Sequence, residues 1–452
     1  MELKPSQLVS FVLLLEAILV YYFAPTTYNY GYSVFCSILY FINIIAFFIL
    51  KRKKNYLDFD SVFFVGYFFV TLFYPVFMYE NDPTRFFAFQ FDFDANVIPQ
   101  ASALSLLGIT SYITGSFLYS KPANSQSGYV SKSYVPNQHL SYFASFIFIL
   151  YVLSGGYTAL KGAYSGDGAL GSGMANYIFI FVPAFILSAI ILEFNNLQHK
   201  NPYELKLKNI GKTTLIAAGS IVFIIISTGS RTVPMQIILL VAGLYTLFYR
   251  PVSFPKFILL IIVGMAFMFL LVLLRGYQQE GTFSVVDIAM DLIINNRNSY
   301  TAIEYVNKSG LTYGLSMSSS FLAPVPFLQN FVISLCGLNP FDMSSSIVIT
   351  KLTLGEVGEL GLGTNIIADI YMSFGSVGVI MLMSGLGFFI SMMLAKATKN
   401  IYALVCYGVM MSYAVFLVRA EFFFFLRYLI WSLIIVYLSR QYKLKFSIYK
   451  NK

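Results

Sequence analysis

The chain has 452 residues, of which 58% are hydrophobic and only 11% charged, with a formal net charge of +9 and a mean hydropathy of +0.73. Soluble domains carry about one quarter charged residues, so this apolar excess calls for a lipid solvent and excludes an ordinary water-soluble globule. Cys36, Cys336 and Cys406 are too few and too scattered for a disulfide framework or a metal cluster.

A bilayer core about 30 Å thick needs roughly 20 apolar residues per helix. In chain order the candidate spans are 7–24, 32–50, 61–79, 97–119, 139–155, 177–193, 213–228, 233–249 and 253–274, then 373–395, 401–418 and 422–439. No small-residue cleavage site follows the first run, which is therefore read as a retained helix. The expected fold is an all-α integral membrane protein of about twelve transmembrane helices. Residues 1–275 hold nine of them, 276–372 form a large outer loop, and 373–452 hold the last three and a basic tail.

Twelve spans place both termini on one side. That side carries 20 Lys and Arg against 5 Asp and Glu, whereas the other carries 8 against 14. Basic residues favour cytoplasmic loops, so the termini are expected in the cytoplasm and the long loop outside. The basic balance thus reports topology and gives no sign of a nucleic-acid partner. Seventeen of the inner basic residues are Lys, whereas five of the eight outer ones are Arg: Arg85, Arg231, Arg275, Arg297 and Arg419. Arg offers a planar fork that matches phosphate oxygens, which Lys does not.

Within the long loop, Val285, Ile288, Ala289, Leu292 and Ile293 recur at helical spacing, with Asp287, Asp291 and Asn295 on the opposite face. The spacing predicts an amphipathic helix over 285–306, and the aromatic and aliphatic content predicts a folded cap on the membrane surface. The glycine-rich stretch 155–173 reads as a lid or linker.

Arg231 falls in the short turn Ser227–Thr232, Arg275 closes span nine, Arg419 closes span eleven, and Arg427 lies inside span twelve. A charge at that depth needs a partner or a wet cavity; Glu16 and Glu421 are the candidate partners. Several outward Arg at one face suit a lipid-linked diphosphate, with its charge at the surface and its tail in the bilayer. Such a diphosphate is also a good leaving group. A hydroxyl attacking it would gain from a general base. His139 and His199 both map to the inner side, which leaves the carboxylates Asp369, Glu421, Glu304, Glu356 and Glu359. Glycine-rich phosphate loops, HExxH and GxSxG are absent.

Three stretches carry a family resemblance. They are Thr228-Gly229-Ser230-Arg231 after a hydrophobic span, the run from Gly361 and Gly363 through Asp369, Tyr371, Phe374, Gly375 and Gly378, and Arg419-Ala420-Glu421 followed by Arg427. Together they resemble the O-antigen or oligosaccharide repeat-unit polymerases of the Wzy type and the related enterobacterial common antigen polymerases. Asp369 stands where that pattern has Glu, and Ser373 where it has Asn. The resemblance implies a GT-C-like membrane glycosyltransferase of the bacterial inner membrane, working at the periplasmic face without metal, cofactor or nucleotide sugar. It would transfer a growing glycan from undecaprenyl diphosphate to the non-reducing end of a lipid-linked repeat unit, with a chain-length regulator as a further candidate partner. By similarity Arg231, Arg419 and Arg427 would hold diphosphates, with Arg275 and Arg297 next, and Asp369 or Glu421 would orient or deprotonate the acceptor. The rival readings are an O-antigen ligase, expected to carry an outer-loop His, and a twelve-helix transporter or lipid-linked oligosaccharide flippase, expected to show internal repeats.

Overall fold

The structure, a computed structural model, describes residues 4–119, 135, 137–165, 173–200, 209–274, 285–355 and 361–450. Helices make up its architecture, with no strand among the described residues. In chain order they are α1 (Pro5–Tyr22), α2 (Tyr30–Leu50), α3 (Phe59–Thr71), α4 (Phe73–Phe77), α5 (Ile98–Leu118), α6 (Gln138–Leu153), α7 (Gly156–Ser165), α8 (Gly173–Lys200), α9 (Lys212–Ser227), α10 (Thr232–Phe248) and α11 (Phe254–Leu274). The short α12 (Met290–Ile293), α13 (Asn296–Ser309), α14 (Ser318–Leu322), α15 (Leu328–Cys336) and α16 (Ser345–Leu354) follow, then α17 (Ile366–Ala397), α18 (Ile401–Ser412) and α19 (Leu426–Lys450).

A helix occupies each of the twelve predicted stretches. Among the described residues, α1, α2, α5, α8 and α17 are long and apolar enough to cross a bilayer alone, and α6 and α7 add a sixth span if the bent pair crosses as one. Others are interrupted or short: α3 breaks at Leu72, and α18 ends at Ser412, six residues before the predicted end of its span.

The core is built around α5, buried along nearly its whole length by α1, α2 and α17. Its sequence makes this possible. Ser105, Thr110, Ser111 and Thr114 return their hydroxyls to carbonyls four residues back at 2.7–3.0 Å, so none is left bare in an apolar interior. Glycines then let α5 and α17 meet backbone to backbone. A Cβ on Gly115 would lie 1.8 Å from the Ser384 carbonyl oxygen, and one on Gly387 2.0 Å from that of Tyr112. A second group, α6, α8, α9, α10, α18 and α19, packs beside this core. Where α2 turns into α3, Lys53 pairs with Asp58 at 2.7 Å and Lys51 with Asp60 at 3.2 Å, while the Tyr112 hydroxyl donates to Asp60 at 2.5 Å.

The loop region departs from expectation. The predicted helix over 285–306 is broken into a 3-10 turn at Val285–Ala289, then α12, then α13. Asn295 causes the break: its side chain donates to the Asp291 carbonyl at 2.8 Å and ends α12. Nor does the first part of α13 lie on a surface, because Asn296 to Ile303 are all buried and only its last turns emerge. Its polar residues serve other helix ends. Asn296 donates to the Thr71 carbonyl at 2.6 Å, where α3 stops, and Asn365 donates to the Asn295 carbonyl at 2.8 Å and to Ser299 at 2.9 Å. The same Asn365 caps α17 by accepting from Ile367 and Ala368, so α17 starts seven residues earlier than span ten was expected to. At Gly375, φ +63° and ψ −160° kink α17 in a conformation that a Cβ would disfavour.

Candidate active site

α9 ends at Ser227 and α10 begins at Thr232, which leaves a four-residue connection. Gly229 turns it at φ +90°, and Thr228 closes α9 by donating its hydroxyl to the Ile225 carbonyl at 2.7 Å. The turn leaves Arg231 at the start of α10. Arg419 ends a 3-10 turn, Phe416–Arg419, between α18 and α19.

These two arginines converge on one carboxylate. Arg231 Nη1 and Arg419 Nη1 each lie 3.8 Å from Asp291 Oδ2, and Arg419 Nη1 also donates to the Asp291 carbonyl at 3.1 Å. At 3.8 Å neither side-chain contact is a full charge-assisted hydrogen bond, which would close to about 2.7–2.9 Å. Arg231 Nε is buried with no hydrogen-bond partner. The cluster therefore holds two cations, one anion and unused donors.

All three residues line a cavity of about 360 Å³. The rest of its wall is almost entirely apolar: Val65 and Phe69 from α3, Met235 and Ala242 from α10, and Ile261 and Gly264 from α11. The cavity runs along α10 from Arg231 to Ala242, eleven residues or about 16 Å. It is a long apolar groove with a doubly cationic mouth.

Glu421 follows Arg419 by two residues. Its Oε1 accepts from the Ser344 hydroxyl at 2.5 Å, and burial pushes its carboxyl above the usual carboxylate range. The next residue, Phe422, donates its N–H to Asp369 Oδ2 at 2.7 Å, and Asp369 is wholly buried at the first turn of α17. One short segment therefore turns Arg419 toward the groove and brings Glu421 beside Asp369.

The other expected residues lie elsewhere. Arg427 lies over the rings of Phe424 and Tyr428, at 4.3 and 4.7 Å, and its charge acts on the Glu421 carboxyl without closing a salt bridge among the described residues. Arg297 is 2% exposed, donates to Thr301 Oγ1 at 2.6 Å and the Asp92 carbonyl at 2.9 Å, and does not line the groove. Arg85 grips Asp287 with two bonds of 2.8 and 2.7 Å. Glu304 accepts from the Asp94 N–H at 2.7 Å. Arg275, Glu356 and Glu359 lie outside the described residues. Sequence reasoning placed Asp291 on a polar helix face without seeing its role, since nothing in the spacing joins it to two arginines 60 and 128 residues away. The groove had no sequence signal either, because its wall has the same composition as a lipid-facing surface.

A model of the family described as O-antigen polysaccharide polymerase Wzy matches residues 7–451. Neither a curated protein nor a solved structure matches the chain. With a match spanning almost its entire length, the chain belongs to the O-antigen polysaccharide polymerase Wzy family, multi-pass membrane proteins that polymerise lipid-linked oligosaccharide repeat units.

Proposed function

We propose that the protein transfers a growing glycan from undecaprenyl diphosphate to the non-reducing end of a second lipid-linked repeat unit, at the periplasmic face of the bacterial inner membrane. In this reading twelve spans put both termini in the cytoplasm. Arg231 and Arg419 hold the donor diphosphate, and the groove between α3, α10 and α11 takes the first part of its isoprenoid tail. The acceptor hydroxyl attacks the anomeric carbon of the donor sugar as the bond from that carbon to the diphosphate oxygen breaks. The bonding pair leaves with the diphosphate, whose charge the two guanidinium groups stabilise. The hydroxyl proton passes to the Asp369 and Glu421 pair, which also orients the acceptor. Arg427, over its two rings at the start of α19, is assigned to the acceptor's diphosphate; Arg275 and Arg297 complete the set of basic candidates.

The observation that carries this reading is the pairing of two incompletely satisfied arginines with an apolar groove at one site. A soluble anion needs no such groove, and a plain lipid tail needs no such mouth. The test is reconstitution. Purified protein in bilayers, given undecaprenyl-diphosphate-linked repeat units and no nucleotide sugar, lengthens the glycan on its carrier. If the protein only moves the intact lipid between leaflets, with no new glycosidic bond, it is a flippase and the enzymatic reading fails.

A further inference from the structure

Between Lys308 and Asp342 the chain carries no Asp, Glu, Lys, Arg or His, although the whole stretch falls in the expected outer loop. Inside it, Phe331 and Leu335 are four residues apart on one face of α15, and Phe327, the N-cap at φ +64°, stands just before them. Phe327, Phe331 and Leu335 are 68%, 63% and 72% exposed. No residue of α15 is buried, and Phe321 and Val325 just before it are exposed as well. The polar positions of α15, Gln329, Asn330 and Ser334, are uncharged. A helix lying among headgroups would instead carry Lys or Arg opposite its apolar face.

The attachment of this segment fixes its depth. Trp431 Nε1 donates to the Pro324 carbonyl at 3.0 Å, Phe321 packs edge-on against Phe423, and Phe327 packs against Tyr177 of α8. Trp431 lies five residues past Leu426, about 7 Å along α19 from its first residue. The turn leading into α15 is therefore held beside α19, below its end rather than above it. Nine residues of helix make about 13 Å, less than half of a bilayer core, so α15 cannot cross and stays in one leaflet. Its ends suit that place: Gly337 closes α15 through an N–H bond to the Ile333 carbonyl, and Asn339 satisfies the Phe341 N–H at 3.1 Å.

We infer that residues 318–341 are a membrane-embedded element whose Phe327, Phe331 and Leu335 side chains contact acyl chains, in the leaflet on the side of the groove mouth. This concerns a surface away from the groove and does not depend on the reaction proposed above. Cys336 makes it testable on the natural chain, because it is exposed while Cys36 and Cys406 are buried. The full-length protein is reconstituted in lipid vesicles and labelled at Cys336 with a nitroxide; the Cys336→Ser variant, labelled in parallel, gives the background. The nitroxide is expected to collide with dissolved oxygen several-fold more often than with a water-soluble nickel chelate. A Phe331→Cys label on a Cys336→Ser background is expected to show the same bias, so one poorly folding variant does not decide the matter. Nickel collisions equal to or above those with oxygen would overturn the inference and make the segment a water-facing loop. Spin–spin broadening that disappears on dilution with unlabelled protein would also overturn it, assigning the face to a second copy of the chain.

Discussion

Replacing Arg231 by alanine removes one of the two guanidinium groups at the groove mouth and leaves Arg419 and Asp291 facing each other. A charge-assisted hydrogen bond contributes about 1.5–3 kcal/mol. A fork gripping one phosphate through two such bonds would lose several kcal/mol, but Arg419 partly compensates while Asp291, now with one cation instead of two, repels the diphosphate more. A net loss of about 3 kcal/mol follows, or about 10²-fold in kcat/KM. Most of it falls on kcat if the guanidinium groups act on the departing charge. Arg231→Lys keeps the charge and loses the fork, so about 10-fold is expected. Arg231→Ala with Arg419→Ala costs less than the product of the single effects, because both groups serve one anion. Asp291→Asn on the Arg231→Ala background recovers part of the loss. The assay is the ladder of glycan lengths in cells, with single capped repeats accumulating as long chains vanish, joined to rates on reconstituted protein at matched amounts. Normal ladders and rates within about two-fold in both single alanine variants would refute the diphosphate assignment.

Asp369→Asn and Glu421→Gln are expected to slow transfer by about 10²–10⁴-fold while donor binding, measured with labelled lipid diphosphate, stays within a few-fold. Because burial raises the Glu421 carboxyl, a base at this position ionises above the usual carboxylate range. The acidic limb of the activity profile therefore lies higher than an exposed Glu would place it, and it shifts in Glu421→Gln. A Cβ on Gly264 meets nothing within 4 Å and opens onto the groove. Gly264→Phe should fold normally and raise KM for the donor about 10-fold by filling the tail slot. Gly115→Ala and Gly387→Ala drive a methyl to 1.8 and 2.0 Å from backbone oxygens, far inside contact distance, so the two helices must shift apart at a cost of about 1–3 kcal/mol or more, read as a lower thermal midpoint in detergent.

Helix positions were readable because unbroken apolar runs leave little else for a backbone to do in lipid. The turn at Gly229 was readable for a similar reason: a glycine between two runs, followed by Arg231, leaves the Arg at the membrane edge. The hidden parts are those where polar residues work in the interior. Asn365 and Asp369 depress the hydropathy at the start of α17, so its first turns looked like loop. Asn295 looked like part of a solvated face, although it and its neighbour Asn296 satisfy helix ends buried inside the bundle. Arg297 looked like a surface cation, yet it lies over Phe93 at 4.8 Å and bonds the Asp92 carbonyl. The kink at Gly375 and the uncharged stretch around α15 leave no periodicity that distinguishes water from lipid.

Arg419 and Phe422 are three residues apart, one turned to the groove and the other bonded to the buried aspartate. Extended backbone covers at most about 3.6 Å per residue, so these two anchors cannot separate by more than about 11 Å however the surrounding helices shift. In the proposed reaction, that tether sets the reach between carrier phosphate and incoming alcohol by chain connectivity instead of by bundle packing. Helices could then slide to admit glycans of increasing bulk while the reacting ends keep their spacing, and adding one glycine between Ala420 and Glu421 would uncouple the two.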